Sequence, residues 1–183
     1  MPLPVTEVER ELTHTRRVRY EGYKRADGLW DIEAHLTDIK NHDFRLKSGV
    51  RRAGQAVHAM WLRVTIDKHF NILEAASIFD AVPYPGCEDI EPAYGRLVGL
   101  NLVKNFKKEL AERVGGVRGC THVTEMLAGM PTAAIQTFAG DMPEERADGG
   151  KPFQLDQCHA LETTSETVRR FYPKWHRKEN KTA

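Results

Sequence analysis

The sequence predicts an α+β fold: a twisted antiparallel sheet of two hairpins packed against two or three helices. Three observations carry this. Apolar and polar residues alternate along Trp30, Ile32, Ala34 and Leu36, and again along His58, Met60, Leu62, Val64 and Ile66, the period of a half-buried strand. Turn residues separate the paired runs, at Asp27-Gly28 and from Asp67 to Asn71. After Pro92, apolar residues recur at helical spacing.

The first strand is expected at about residues 14–24, with Val18, Tyr20 and Tyr23. Asp27-Gly28 supplies the left-handed geometry of a tight turn into a second strand at 29–39. Asp27, Asp31, Glu33 and Asp38 make this hairpin acidic, which a solvated outer face explains. A basic loop spans 40–54. It carries Arg45, Lys47, Arg51 and Arg52, and a guanidinium from Arg51 or Arg52 there would suit capture of a carboxylate or phenolate. In the second hairpin, residues 72–81 follow the strand of His58. That histidine shares a face with four apolar side chains at the strand's end, so it is either a ligand at the rim of the core or a core histidine satisfied by one hydrogen bond.

Pro83-Tyr84-Pro85-Gly86-Cys87 cannot continue a central strand, since neither proline has an N–H. Cys87 is therefore expected in a loop. Tyr94, Leu97, Val98, Leu102, Phe106 and Leu110 form a helical stripe that packs into the core, and Gly115-Gly116 closes that helix. A second helix begins near Cys120, with Val123, Met126, Leu127 and Met130 on one face, until Gly129 and Pro131 break or kink it; it can continue over 132–138. Residues 140–152 read as a mobile loop and the tail from 178 as disordered. The whole, 1–183, is expected to be a single domain, long enough to bury a core without disulfides.

Lys and Arg total 27 against 26 Asp and Glu, so charge gives no case for nucleic acid or a membrane surface as partner. No stretch approaches the roughly 18 to 20 apolar residues of a bilayer span and no apolar leader is visible. A soluble cytoplasmic protein is expected. Three cysteines suit reduced thiols there rather than a disulfide framework. Homodimerisation through an exposed sheet edge is a further expectation.

The chemistry concentrates in Gly119-Cys120-Thr121-His122. A thiol at a helix start is easier to ionise, which suits a metal ligand or a nucleophile. His58, Cys87 and Cys120 would give Zn²⁺ or Fe three ligands from three separate elements, with His122 as a fourth ligand or as general base beside an open position. Without a metal, Cys120 is a thiolate nucleophile with His58 or His122 as its base. Glu125, three residues beyond His122, is close enough on a helix to orient the imidazole or is only a surface carboxylate. Cys158 reads as a partly buried free thiol. Tyr84 and Trp61 are either core aromatics or the aromatic wall of a substrate pocket. No Cys-x-x-Cys pair occurs, which excludes a standard structural zinc motif.

The segments YEGYKRADGLWDIEAHLTD (20–38), 57–66, 83–87 and GVRGCTHVTE (116–125) resemble a proteobacterial family catalogued as a domain of unknown function, over nearly the whole chain. The resemblance implies a fold and a catabolic neighbourhood rather than an activity. From 57 to 127 the chain also resembles, distantly, the U-type iron-sulfur cluster scaffolds. His58 stands where the scaffold has its first Cys, Cys87 at the second and Cys120 at the third; the small residues after the second Cys and the His-Cys pair at the third are absent. This resemblance implies a metal-sized pocket between a sheet end and helix starts. The reading is an enzyme, a lyase or hydrolase of a small catabolic intermediate, aromatic or hydroxylated, using His122, Cys120 and His58. The alternatives are an iron-sulfur or zinc scaffold for sulfur transfer and a non-catalytic small-molecule binding domain.

Overall fold

The computed structural model describes residues 3–140 and 149–178. The expected loop at 140–152 and tail from 178 therefore fall largely outside the described residues. The chain divides into two compact units, Met1–Thr137 and Phe138–Ala183.

The α+β class and the two hairpins are as the sequence indicates. In the first unit β1 (His14–Lys24), β2 (Trp30–Lys40), β5 (Ala56–Ile66) and β6 (Ile72–Ala81) form one antiparallel sheet in the order β1-β2-β5-β6. The alternation in β2 is strict: Trp30, Ile32, Ala34, Leu36 and Asp38 are buried, and the residues between them are half-buried. Residues 40–54 are not one loop. They contain a small hairpin of β3 (Phe44–Leu46) and β4 (Gly49–Arg51), whose three-residue strands are too short to show alternation. Ser48 Oγ donates to Pro83 O, and Arg51 Nη2 to Val82 O at 2.7 Å, so this hairpin is tied to the segment after β6.

The stripe from Tyr94 to Leu110 is not one helix. It divides into a 3-10 segment, Glu88–Leu97, and α1 (Phe106–Val114). Between them Gly99 and Asn105 take left-handed φ values of 86° and 55°, and the chain runs beside the start of β6. Ile72 N–H donates to Leu100 O at 2.8 Å and Gly99 N–H to Ile72 O at 2.9 Å. Apolar spacing is preserved across the break because Leu97, Leu100, Leu102 and Phe106 all reach the same core.

α2 (Thr121–Thr137) continues through Pro131. Proline removes one backbone donor, but burial of Val123, Met126, Leu127, Met130 and Ala134 holds the helix on the sheet. Its seat is cut by two glycines. A side chain at Gly129 would collide with the Tyr20 ring, whose hydroxyl donates to Met126 O at 2.7 Å, and one at Gly22 would overlap Thr137. α2 therefore lies against β1 at both points, with its first turn over the far end of the sheet. Among the described residues no helix is long and apolar enough to cross a membrane.

The second unit holds α3 (Glu166–Phe171), capped by Ser165, whose hydroxyl accepts from Val168 N–H. Asp156 organises it, accepting from Thr163 N–H at 2.7 Å and from Lys151 Nζ at 2.7 Å. The Lys151 hydrogen bond, with that of Thr163, holds its carboxyl at about 2. Cys158 is an exposed free thiol of this unit.

Gly22→Ala should lower stability by about 1–3 kcal/mol, the range for forcing a methyl into filled space. A fall in Tm with unchanged β-sheet circular dichroism would show it; an unchanged Tm would mean that α2 does not lie this close to β1.

Candidate functional site

Three neighbouring strands bring three polar residues into one row: Arg16 of β1 faces Asp38 of β2, which faces His58 of β5. The row closes the apolar ladder of the inner face, two residues beyond Leu36 and two before Met60. A register shift follows immediately, between Asp38 and Ile39, the kind of irregularity that re-aims side chains at a sheet end.

The Asp38 side chain is only 4% exposed. Oδ1 accepts from Arg16 Nε at 2.8 Å and lies 3.1 Å from His14 Nε2; Oδ2 accepts from Arg16 Nη2 at 2.8 Å and pairs with His58 Nδ1 at 3.0 Å. Burial works to raise its carboxyl. The forked Arg16 hydrogen bonds and charge, with the His58 ring, more than offset that and hold it below the usual range. An ionised Asp38 only accepts, so His58 carries its proton on Nδ1 and keeps the Nε2 lone pair.

α2 supplies the other wall. The His122 ring lies 3.9 Å from that of His58, centroid to centroid and tilted by 36°. Glu125 Oε2 accepts from Arg16 Nη1 at 2.9 Å. Cys120 Sγ is 3.6 Å from His122 Nδ1. The backbone of Cys120 is fixed in turn by buried Tyr94, whose hydroxyl accepts the Cys120 N–H at 2.8 Å and donates to Cys120 O at 3.4 Å. Burial pushes that phenol up to about 12, so it remains a neutral clamp. Burial, with the His122 ring beside it, lowers His58 despite the Asp38 carboxylate; burial and the Arg16 charge lower His122. Both imidazoles are thus neutral bases at neutral pH.

Among the described residues, the one group of three or more metal-ligand side chains whose ligand atoms all lie within 4.8 Å of one another is Asp38, His58 and His122. His58 fits a metal: its Nδ1–H is held by a carboxylate, the usual support of a ligating imidazole, and Nε2 remains. Asp38 does not fit as a ligand, because each of its oxygens already faces two nitrogens and Arg16 neutralises its charge.

Of the residues singled out in the sequence, His58 and His122 come together and Cys120 lies beside His122. Cys87 is half-buried just before the 3-10 segment and is not in the group of ligand side chains. Arg51 is held by Val82 O, and exposed Arg52 pairs with Asp43 at 2.5 Å. Tyr84 is exposed. Trp61, an odd number of residues from His58, lies on the opposite face of β5, stacked on His35 at 3.7 Å. Asp38 is not part of an acidic outer face: it is the buried anchor of the row. The signal for it was present, as the next inward position after Leu36. Arg16 and His14 carried no such signal.

A family model described as "Protein of unknown function (DUF2889)" matches residues 14–136. The chain belongs to this family. The match begins at the first residue of β1 and ends within one residue of the end of α2, so the DUF2889 segment contains every member of the cluster from His14 to Glu125 and excludes the second unit. No curated protein and no solved structure matches the chain.

The two depressed imidazoles of the DUF2889 cluster make stability pH-dependent. Unfolded histidines protonate near 6.5, where the folded rings resist it, so the unfolded state binds more protons and stability falls as pH drops below 6.5 through the folded values. Asp38, lowered on folding, adds a second loss below the unfolded carboxyl range. Tm measured from pH 7.5 to 4.5 should fall, and the fall should flatten in His58→Gln and His122→Gln. A wild-type profile that is flat over this range would contradict the buried, neutral state of both rings.

Proposed function

We propose that this DUF2889 chain is a thiol-dependent hydrolase or lyase of a small organic molecule, with Cys120 as nucleophile, His122 as the base that takes its proton, and His58 as a second acid–base group. The observation that supports the reading is the Cys120 Sγ to His122 Nδ1 approach of 3.6 Å, beside a His58 ring oriented by Asp38. Nucleophile, base and orienting carboxylate are the parts such chemistry needs. In hydrolysis of an ester or thioester, the Cys120 S–H proton passes to His122. The sulfur bonds to the carbonyl carbon, and the leaving group departs with a proton from an imidazole. A water then gives its proton to the ring as its oxygen bonds to the acyl carbon; the S–C bond breaks, and carboxylic acid and free thiol are released. A small aromatic intermediate of catabolism is the proposed substrate.

The proximity of His58 and His122 supports a second reading, in which Zn²⁺ or Fe would be held by His58 Nε2 and His122, with Cys120 beside His122. Such a metal would supply Lewis acidity and an activated water. In that case Asp38 orients His58 rather than ligating, and Arg16 holds Asp38.

Cys120→Ala should remove turnover on a panel of aryl esters and thioesters by about 10³-fold or more, and His122→Ala by roughly 10²- to 10⁴-fold, with circular dichroism unchanged. Cys158→Ala should leave rates as they are. Full activity in Cys120→Ala would sink the thiol mechanism. Near-stoichiometric zinc or iron in the purified protein, lost in His58→Ala, would replace it with the metal reading.

A further inference from the structure

We infer that Glu125 holds the place of a substrate carboxylate on Arg16, so that the cluster takes a small organic acid anion. The inference rests on reading the cluster as a small-molecule site, but not on the chemistry done there.

The guanidinium of Arg16 has two unlike sides. Its Nε/Nη2 fork is fixed on a buried carboxylate, at 2.8 Å to each Asp38 oxygen. Its remaining nitrogen, Nη1, is directed to Glu125 at 2.9 Å. Arg16 is 36% exposed and Glu125 59% exposed, whereas Asp38 is 4% exposed. The inner pair is therefore rigid and shielded, and the outer pair is a surface contact held by a long, largely solvated side chain. Surface ion pairs of this kind contribute little to stability. A carboxylate arriving from solvent could replace Glu125 on Nη1, with the displaced Glu125 side chain turning into water.

The position next to Nη1 is also the position next to the reactive groups. Glu125 lies three residues after His122, so the two side chains share one face of α2, and the His122 ring is in contact with His58. An anion seated on Arg16 would thus be placed against the imidazole pair. Asp38 does not compete for Nη1, because its oxygens accept from Nε and Nη2 on the other side of the guanidinium. His14, one-third exposed and 3.1 Å from Asp38 Oδ1, is a further nitrogen-bearing side chain on this rim. A planar guanidinium held from behind presents its outer N–H groups in a fixed direction.

The test is a benzoate titration of the full chain, followed by NMR through the His122 and His58 ring resonances, with neutral benzamide as control. Wild type should respond to benzoate and not to benzamide. Glu125→Gln, which frees Nη1, should bind benzoate about fivefold tighter, the affinity equivalent of a surface ion pair. Arg16→Lys, which keeps the charge near Asp38 but loses the fork, should bind it more weakly. Cys120→Ala should bind benzoate as wild type does, so failure of the thiol mechanism and failure of the anion site give different results. Equal or weaker benzoate binding in Glu125→Gln, an equal response to benzamide, or no response to benzoate in any variant would overturn the inference.

Discussion

The Asp38 carboxylate is the constraint around which this end of the molecule is arranged. Placing one ionised carboxylate at the end of an apolar ladder costs several kcal/mol unless its oxygens are met by donors. Four nitrogens meet them, from three residues on two flanking strands. Donors on β1 and β5 can converge on a residue of β2 only if both registers are correct, so satisfying one charge fixes the alignment of three strands. Arg16 also touches α2, through exposed Glu125. A buried polar row of this kind adds little net stability, but it leaves few alternatives to the alignment observed.

What aims α2 at that row is steric rather than electrostatic. Gly22 and Gly129 let the helix approach β1 at two points more than one turn apart, and the Tyr20 hydroxyl engages the helix backbone at Met126, one turn before Gly129. Two close contacts and one hydrogen bond fix both the rotation and the axial position of a 17-residue helix. Its first turn then falls where His122 meets His58. Tyr94, arriving from the 3-10 segment, holds the residue just before that turn by both its N–H and its C=O. The geometry of the imidazole pair is therefore set by residues that take no part in it.

The strands and both hairpins were legible because β2 and β5 bury one face more fully than the other, and that difference imprints a period of two. The hairpin of β3 and β4 was not, since three residues cannot display a period. The stripe from Tyr94 to Leu110 misled for the opposite reason: a chain that turns twice through left-handed residues can still return its apolar side chains to one core at near-helical intervals. In the site, the helix start at Cys120 and His122 was legible from local chemistry, and His58 from its place at a strand end. Asp38 groups with its acidic neighbours in the sequence because charge is conspicuous there and parity is not, although parity decides which way a strand residue points. Arg16 becomes meaningful only once its cross-strand partner is known. Cys87 drew notice as a thiol, yet a single residue in a proline-rich loop carries no information about which element it will face.

The charge state of the cluster narrows what it can do. Its sole buried anion is neutralised by a forked guanidinium, and burial keeps two touching imidazoles unprotonated at neutral pH. An assembly that spends its negative charge on Arg16 offers a free cation little attraction beyond two ring nitrogens, fewer than the three ligands a catalytic metal usually takes from protein. The same assembly offers a proton two acceptors in contact, one backed by a carboxylate that stabilises the imidazolium once formed. A proton taken up at His122 next to a thiol would keep the neighbouring His58 neutral, with its Nδ1 still on Asp38. Two imidazoles kept neutral at neutral pH beside a thiol are free to accept a proton, which is the property that the proposed thiol and acid–base chemistry requires.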